Sequence, residues 1–207
     1  MTQIILEKVI KEIIGRGVPK PEDNQNTDDM VYGGELNRIT FKGYGKDLFA
    51  VERKDNPTHP LNDPRYAGAT ILIGGENYGC GSSREHAPQA HLDFGLRALV
   101  TAGYAGIFQG NCASIGLVAV TTAKNNIEEL AQRVRECPES ELSIDLSSKR
   151  LKLVVPSGMH ISDYPIDIPE NVRQSFLNGT WDALALLRSN PEKVAETMRK
   201  VPYFEFR

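Results

Sequence analysis

The chain has 207 residues, 40% of them hydrophobic and 25% charged, with a formal net charge of −3. That balance belongs to a globular protein of about one α/β-sized domain. The slight acidic excess argues against a nucleic-acid or anionic-membrane surface, and no apolar run approaches the roughly 20 residues that span a bilayer.

In chain order, the first pattern has apolar residues at Leu6, Val9, Ile10, Ile13 and Ile14 with charges between them. This spacing predicts an amphipathic helix. The stretch lacks the unbroken apolar core and small-residue cleavage site of a secretory signal, so a cytoplasmic protein is expected. Gly15 to Asn26 is rich in Gly, Pro and Asn and predicts a loop. Thr27-Asp28 follows, a pair whose common use is to cap nearby amides. Glu35 to Thr40 fits a short helix or an irregular segment, and Lys42 to Phe49 a turn. Pro57, Pro60 and Pro64, with Asn56, Asn62 and Asp63 beside them, mark 53–66 as a surface loop suited to a mobile, site-covering segment.

Ala69 to Ile73, Arg97 to Ala102 and Gly116 to Thr121 are short apolar runs that predict buried strands. A helix from Gln89 to Leu96 and a turn with a short helix over 103–111 separate them. This alternation indicates parallel crossover units. Asn126 to Glu136 carries Ile127, Leu130, Ala131 and Val134 on one helical face. Leu142–Leu146 and Leu151–Val155 flank Ser147-Ser148-Lys149-Arg150 as a hairpin. Tyr164 to Ile168 predicts a further strand. Helices are expected at about 170–177, with Asn178-Gly179 as a stop, at 180–187, and after Asn190-Pro191.

The chemistry concentrates in Gly74-Gly75-Glu76-Asn77-Tyr78-Gly79-Cys80-Gly81-Ser82-Ser83-Arg84-Glu85-His86-Ala87-Pro88. A buried strand passes through a glycine-rich turn into a helix start. Two hydroxyls, a guanidinium and unpaired helix amides at one point suit a carboxylate or phosphate. The competing reading is a capping box, with Glu85 reaching back to a serine. Pro88 weighs against it. With Ser82 as cap, Pro88 would lie too deep in the helix, where proline costs about 3 kcal/mol. A start nearer Arg84 leaves both serines in the loop, free to face a ligand. The Gly-x-Ser-x-Gly elbow and the Gly-Lys-Ser/Thr phosphate loop are both absent. His86 and His91 are near, but neither is placed as an obvious base for a serine nucleophile. The alternative is a serine alkoxide held by amides and used as a base, with arginine clamping a carboxylate.

The three cysteines, Cys80, Cys112 and Cys137, are far apart in sequence and form no Cys-x-x-Cys pair. Neither a disulfide framework nor a four-cysteine iron–sulfur site within this chain is expected.

The run Tyr78 to Pro88 resembles the signature of the 3-isopropylmalate dehydratase small-subunit family, and more widely the swivelling domain of aconitase-family hydro-lyases. Asn24 to Asp29, Gly43 to Phe49 with Arg53, Gly103 to Leu117, and Phe176-Leu177-Asn178-Gly179 with Asp182 also resemble family segments. The resemblance thus covers most of residues 15–190. It implies an α/β fold, specifically a β/β/α swivelling domain of the aconitase/isopropylmalate isomerase type. One such domain would span 1–207, with a helical tail from about 170. The implied reaction removes water from a 2-hydroxy di- or tricarboxylate and re-adds it with the hydroxyl on the adjacent carbon. Ser82 falls on the position of the catalytic base. Ser83 and Arg84 fall on substrate-binding positions, and Thr27 and Asp28 on positions lining the same cleft. The family's [4Fe-4S] cluster would be bound by a large iron–sulfur subunit, in a heterodimer or heterotetramer. This chain would then be inactive alone, with no metal of its own and neither nucleic acid nor membrane as partner.

The chain departs from the family pattern at Asp29, Tyr32, Glu35 and Glu52, where glutamine, proline, an aromatic residue and tryptophan are usual. These departures bear on substrate choice more than on reaction type. The expected substrate is isopropylmalate. Citramalate, dimethylmalate, homoaconitate or another malate-like acid is the alternative, and a non-catalytic carboxylate-binding module of the same fold is a different class of reading.

Overall fold

A computed structural model describes residues 8–31, 43–81, 85–156, 160–183, 186 and 191–201. Its centre is a seven-stranded sheet in the order β4-β3-β2-β1-β5-β6-β7. The strands are β1 (Glu12–Lys20), β2 (Ile71–Gly74), β3 (Ala98–Thr101), β4 (Val118–Thr121), β5 (Glu141–Asp145), β6 (Arg150–Val154) and β7 (His160–Pro165). The strands from β4 to β1 are parallel neighbours, and those from β1 to β7 antiparallel. The described α-helices are α1 (Thr27–Met30), α2 (Ala50–Asp55), α3 (His86–Phe94), α4 (Phe108–Ser114), α5 (Lys124–Glu136), α6 (Glu170–Asn178) and α7 (Pro191–Lys200).

β1 joins the two halves. Its first part, Glu12 to Arg16, pairs with β5, and its last part, Gly17 to Lys20, pairs with β2. This overturns the helix expected up to Ile14 and the loop expected from Gly15. Ile13, Ile14 and Val18 are β-branched and stiff at χ1, and Gly15 and Gly17 weaken a helix. Strand partners on both sides then outweigh the helical spacing. The part of that helix over residues 1–7 lies outside the described residues.

The parallel half follows the expected crossover pattern. β2 and β3 are buried at every position, as strands covered on both faces must be. The hairpin of β5 and β6 alternates instead, with Leu142, Ile144, Leu151 and Leu153 all buried. α5 buries Ile127, Leu130, Ala131 and Val134, the face predicted from its spacing. The two edges of the sheet also meet. Thr121, the last residue of β4, and Asp167, just past β7, exchange both backbone hydrogen bonds, at 2.8 and 2.7 Å. The sheet therefore curls on itself.

The tail is stitched to the start of the chain. The Ile10 amide donates to the Phe176 carbonyl (2.9 Å), and the Trp181 indole N–H to the Lys8 carbonyl (2.7 Å). Gly179 ends α6 in the left-handed conformation, as Asn178-Gly179 predicted. The region at 53–66 differs from its expectation as a loop. It continues from α2 into two short 3-10 turns, Pro60–Asn62 and Pro64–Tyr66, each begun by a proline after a side-chain cap. Arg53 and Asn62 fasten it, because Arg53 Nε donates to Asn62 Oδ1 (2.9 Å) and Asn62 Nδ2 to the Arg53 carbonyl (2.7 Å). The segment expected at 35–40 lies outside the described residues.

Burial, and not surface charge, should carry the stability of α5. Leu130→Ala is expected to destabilise the fold by about 2–5 kcal/mol, a cavity penalty. Glu129→Gln, which breaks an exposed i,i+4 pair with Arg133, should cost under about 1 kcal/mol. Urea unfolding of the two variants checks the ordering.

Candidate functional site

The glycine turn leaves β2 at the end of the sheet where parallel strands in α/β folds bind ligands. Ser82, Ser83 and Arg84 lie outside the described residues, but both arms that carry them are described. The upstream arm is held by backbone bonds. Tyr78 donates its amide to the Gly103 carbonyl (2.9 Å) and accepts from the Ala105 amide (3.0 Å). The Gly79 and Cys80 amides both donate to the Gln25 carbonyl, at 2.8 and 3.1 Å. The Thr27 amide returns a bond to the Cys80 carbonyl at 2.8 Å. Of the predicted site residues, Thr27 is thus brought directly against the turn, and Asp28 follows it on α1.

Two of the glycines are required where they stand. Gly79 (φ +79°) and Gly81 (φ +97°) are left-handed, where other residues are strained. A Cβ on Gly79 would overlap the Phe108 ring, and one on Gly81 the Asn26 side-chain oxygen. That oxygen is also the cap of α1, accepting from the Asp28 amide at 2.9 Å. Capping at this turn therefore falls to Asn26.

The downstream arm is α3, which starts at His86 with Pro88 in its first turn. That agrees with the start inferred from Pro88. No side-chain cap bond closes the helix at Glu85. His91, fully buried on α3, accepts from the Tyr78 hydroxyl at Nε2 (2.7 Å). Its Nδ1 lies 2.7 Å from the Ala87 carbonyl, which can only accept, so Nδ1 carries the proton. Burial pushes His91 down to about 4, and it stays neutral. Burial also raises the Tyr78 phenol well above its ordinary value, so it too stays neutral and donates.

A second buried group stands behind the turn at 43–49. Phe49 has φ +52°, unusual for an aromatic residue, and its amide is fixed to the Met30 carbonyl at 2.9 Å. Lys20, at the end of β1 and only 1% exposed, places Nζ 4.7 Å from the centre of the Phe49 ring. The same Nζ bonds Glu52 Oε1 at 2.8 Å and lies 3.5 Å from Glu22 Oε2. His59 is fully buried and turns Nε2 toward Glu52 Oε1 at 3.6 Å, while its Nδ1 accepts from the Leu61 amide at 3.1 Å. Burial, and then the Lys20 charge, lowers His59. Composition and motif reading missed this cluster, although the charged Glu52 at a tryptophan position was its signal.

All three cysteines carry free thiols. Cys80 is half-buried in the turn, Cys112 is buried on α4 and Cys137 caps α5. Burial raises the Cys112 thiol well above its ordinary value, which suits packing better than metal binding. Among the described residues no group of three or more His, Cys, Asp or Glu converges on a metal position. No described helix is long and apolar enough to cross a membrane.

Residues 15–125 match the family described as the aconitase C-terminal domain. The chain is 39% identical to a 3-isopropylmalate dehydratase small subunit of Thermus thermophilus, over 92% of this chain and 94% of that one. It is 33% identical to one of Synechocystis, over 95% and 96%. The chain belongs to the aconitase C-terminal domain family, among the small subunits of 3-isopropylmalate dehydratase. A crystal structure of 3-isopropylmalate dehydratase from Methanocaldococcus jannaschii superposes with a TM-score of 0.61, covering 87% of this chain and 99% of that one at 22% identity. At that identity the match bears on the fold, which is the swivelling-domain fold expected from the sequence.

Two outcomes test this geometry. Gly79→Ala should lower the melting temperature by several degrees, corresponding to a loss of roughly 2–4 kcal/mol from left-handed strain plus ring overlap. The second concerns acid. His91 is neutral when folded and takes a proton near its ordinary 6.5 when unfolded. Its contribution is fully present above pH 6.5, falls as the pH drops and is exhausted near 4, a loss on the order of 3 kcal/mol. Urea midpoints of wild type and His91→Leu across that window should show a shallower slope for the variant.

Proposed function

We propose that this chain is the small subunit of a 3-isopropylmalate dehydratase, a hydro-lyase of leucine biosynthesis working in the cytoplasm. It would interconvert 2- and 3-isopropylmalate by dehydration and rehydration. The observation that carries the reading is the glycine turn itself. The turn that precedes the serine–serine–arginine segment in the chain is bonded to the Thr27 segment, in a chain similar to named small subunits over nearly its whole length.

In this reading Ser82 removes the proton next to a substrate carboxylate and returns one on rehydration. Surrounding amides would stabilise its alkoxide. Arg84 clamps a carboxylate through its planar fork, and Ser83 adds a hydroxyl to the same group. Thr27 and Asp28 line the facing wall. The cysteines of this chain do not fit an iron–sulfur centre, so the [4Fe-4S] cluster is assigned to a large partner subunit, where it would supply a Lewis acid. No step of this chain's own residues runs through it.

A second reading keeps the reaction and changes the acid. It is favoured by the departures from the family pattern at Asp29 and Glu35, since a pocket built for an isopropyl group calls for apolar surroundings. Citramalate, dimethylmalate and homoaconitate are the candidates.

Reconstitution with the cognate large subunit, followed by turnover on a panel of these acids, decides between the readings. Isopropylmalate should be the best substrate. Superior turnover of another acid would establish the second reading, and no turnover of any would sink both. In the active complex, Ser82→Ala should lower kcat by about 10²–10⁴-fold. Arg84→Lys should act chiefly on KM, because a point charge replaces a two-pronged clamp. A non-catalytic binding module would leave Ser82→Ala as active as wild type.

A further inference from the structure

The glycine turn and the start of α3 flank the three-residue segment Ser82 to Arg84 in the chain. The upstream arm is anchored by backbone bonds to 25–27 and 103–105. The downstream arm is the first turn of α3. Among the described residues a side-chain bond crosses between them, Tyr78 Oη–H to His91 Nε2, and within α3 His91 Nδ1–H returns to the Ala87 carbonyl, both at 2.7 Å. Tyr78 lies four residues before Ser82, and Ala87 three residues after Arg84.

We propose that Tyr78 and His91 are positioning residues for the reaction, a clasp in which the Tyr78–His91 bond joins the glycine turn to α3 and the His91–Ala87 bond fixes the imidazole that receives it. This rests on the reading of Ser82 to Arg84 given above.

Four observations support it. Polar groups this deeply buried are costly unless both ends are bonded, and an ordinary core would use apolar side chains here. The pair lies among the Phe49, Tyr104 and Phe108 rings, 5.6–6.4 Å between centroids, so apolar contact was available. The tautomer is fixed, because Ala87 offers only an acceptor and Tyr78 the matching donor. The bonds also tie points on either side of the segment, where a displacement of about 1 Å can cost 10²-fold in rate.

The clasp meets titratable or charged groups from several elements. Tyr104 and Cys112 face the Tyr78 side, and the more distant carboxylates of Glu22 and Glu52 act on the same phenol. The Tyr104 phenol donates to the Leu99 carbonyl (2.9 Å), and burial raises both it and the Cys112 thiol, so neither is charged near neutral pH.

The test separates fold stability from geometry. Tyr78→Phe leaves His91 Nε2 buried without its donor, and His91→Leu leaves the phenol without its acceptor, so each should lose stability. The double variant removes both polar ends and should regain part of it. Turnover is measured in the reconstituted complex at a temperature where every variant is folded by circular dichroism. A fall in kcat of tenfold or more in the double variant supports the clasp, and any smaller fall overturns it.

An activity-independent arm uses wild type and the double variant as isolated subunits. Hydrogen exchange of a peptide spanning 79–86 should quicken in the variant by tenfold or more, while one from α5 stays unchanged. An unchanged 79–86 peptide would also overturn the proposal. Absence of wild-type turnover on every acid would instead defeat the functional reading, and the exchange result would still decide the clasp.

Discussion

Everything at the site depends on one carbonyl. The Gln25 oxygen accepts from two successive amides, Gly79 and Cys80, and the Thr27 amide answers to the Cys80 carbonyl. This continues the parallel pairing of β1 and β2 past the sheet, where the strands proper have ended. Two segments about 50 residues apart in sequence are thereby held side by side, in irregular backbone that still has its hydrogen bonds satisfied. The glycines follow from this. The approach is so close that a side chain at Gly81 would occupy the space of the Asn26 cap. The residues that make the turn adaptable in isolation are those that make it rigid in place.

Much of this was legible in the sequence because it depends on local patterns. The three buried parallel strands, the α5 stripe, the hairpin and the Gly179 stop all carry their signal within about a dozen residues. Pro88 set the start of α3, because proline is excluded on steric grounds from the deeper turns of a helix. β1 was not legible. Its apolar spacing satisfies a helix, and only β2 and β5, distant in sequence, decide for a strand. The 53–66 region was misread for a related reason. Its prolines do begin turns, but a buried His59 and the Arg53–Asn62 bonds make those turns part of the fold.

The buried ions pose a different problem of inference. Nothing local marks Lys20 as one of the least exposed side chains among the described residues. A buried ammonium is stable only when paired, and Glu52 and Glu22 supply the pairing from α2 and from the segment after β1. Both the Phe49 ring and the Glu52 carboxylate meet the same Nζ, so the 43–55 segment is fastened to the end of β1 by a charge as well as by apolar packing. A sequence comparison sees an unusual glutamate at 52. The structure shows what it answers to.

The same reasoning bears on the proton-transfer chemistry. A serine nucleophile needs a histidine whose free nitrogen faces it and whose charged form is tolerated. His91 fails both conditions, because its two nitrogens are engaged by Tyr78 and Ala87 and burial holds it neutral. His59 is also buried, with Nδ1 taken by the Leu61 amide and Nε2 turned toward Glu52. With both His91 nitrogens bonded and His59 enclosed beside Glu52, a Ser–His–acid relay through either one loses its base. His91, one turn further along α3 than His86, is bonded to the glycine turn instead. Its two bonds, to the Tyr78 hydroxyl and the Ala87 carbonyl, make it a link between the glycine turn and α3.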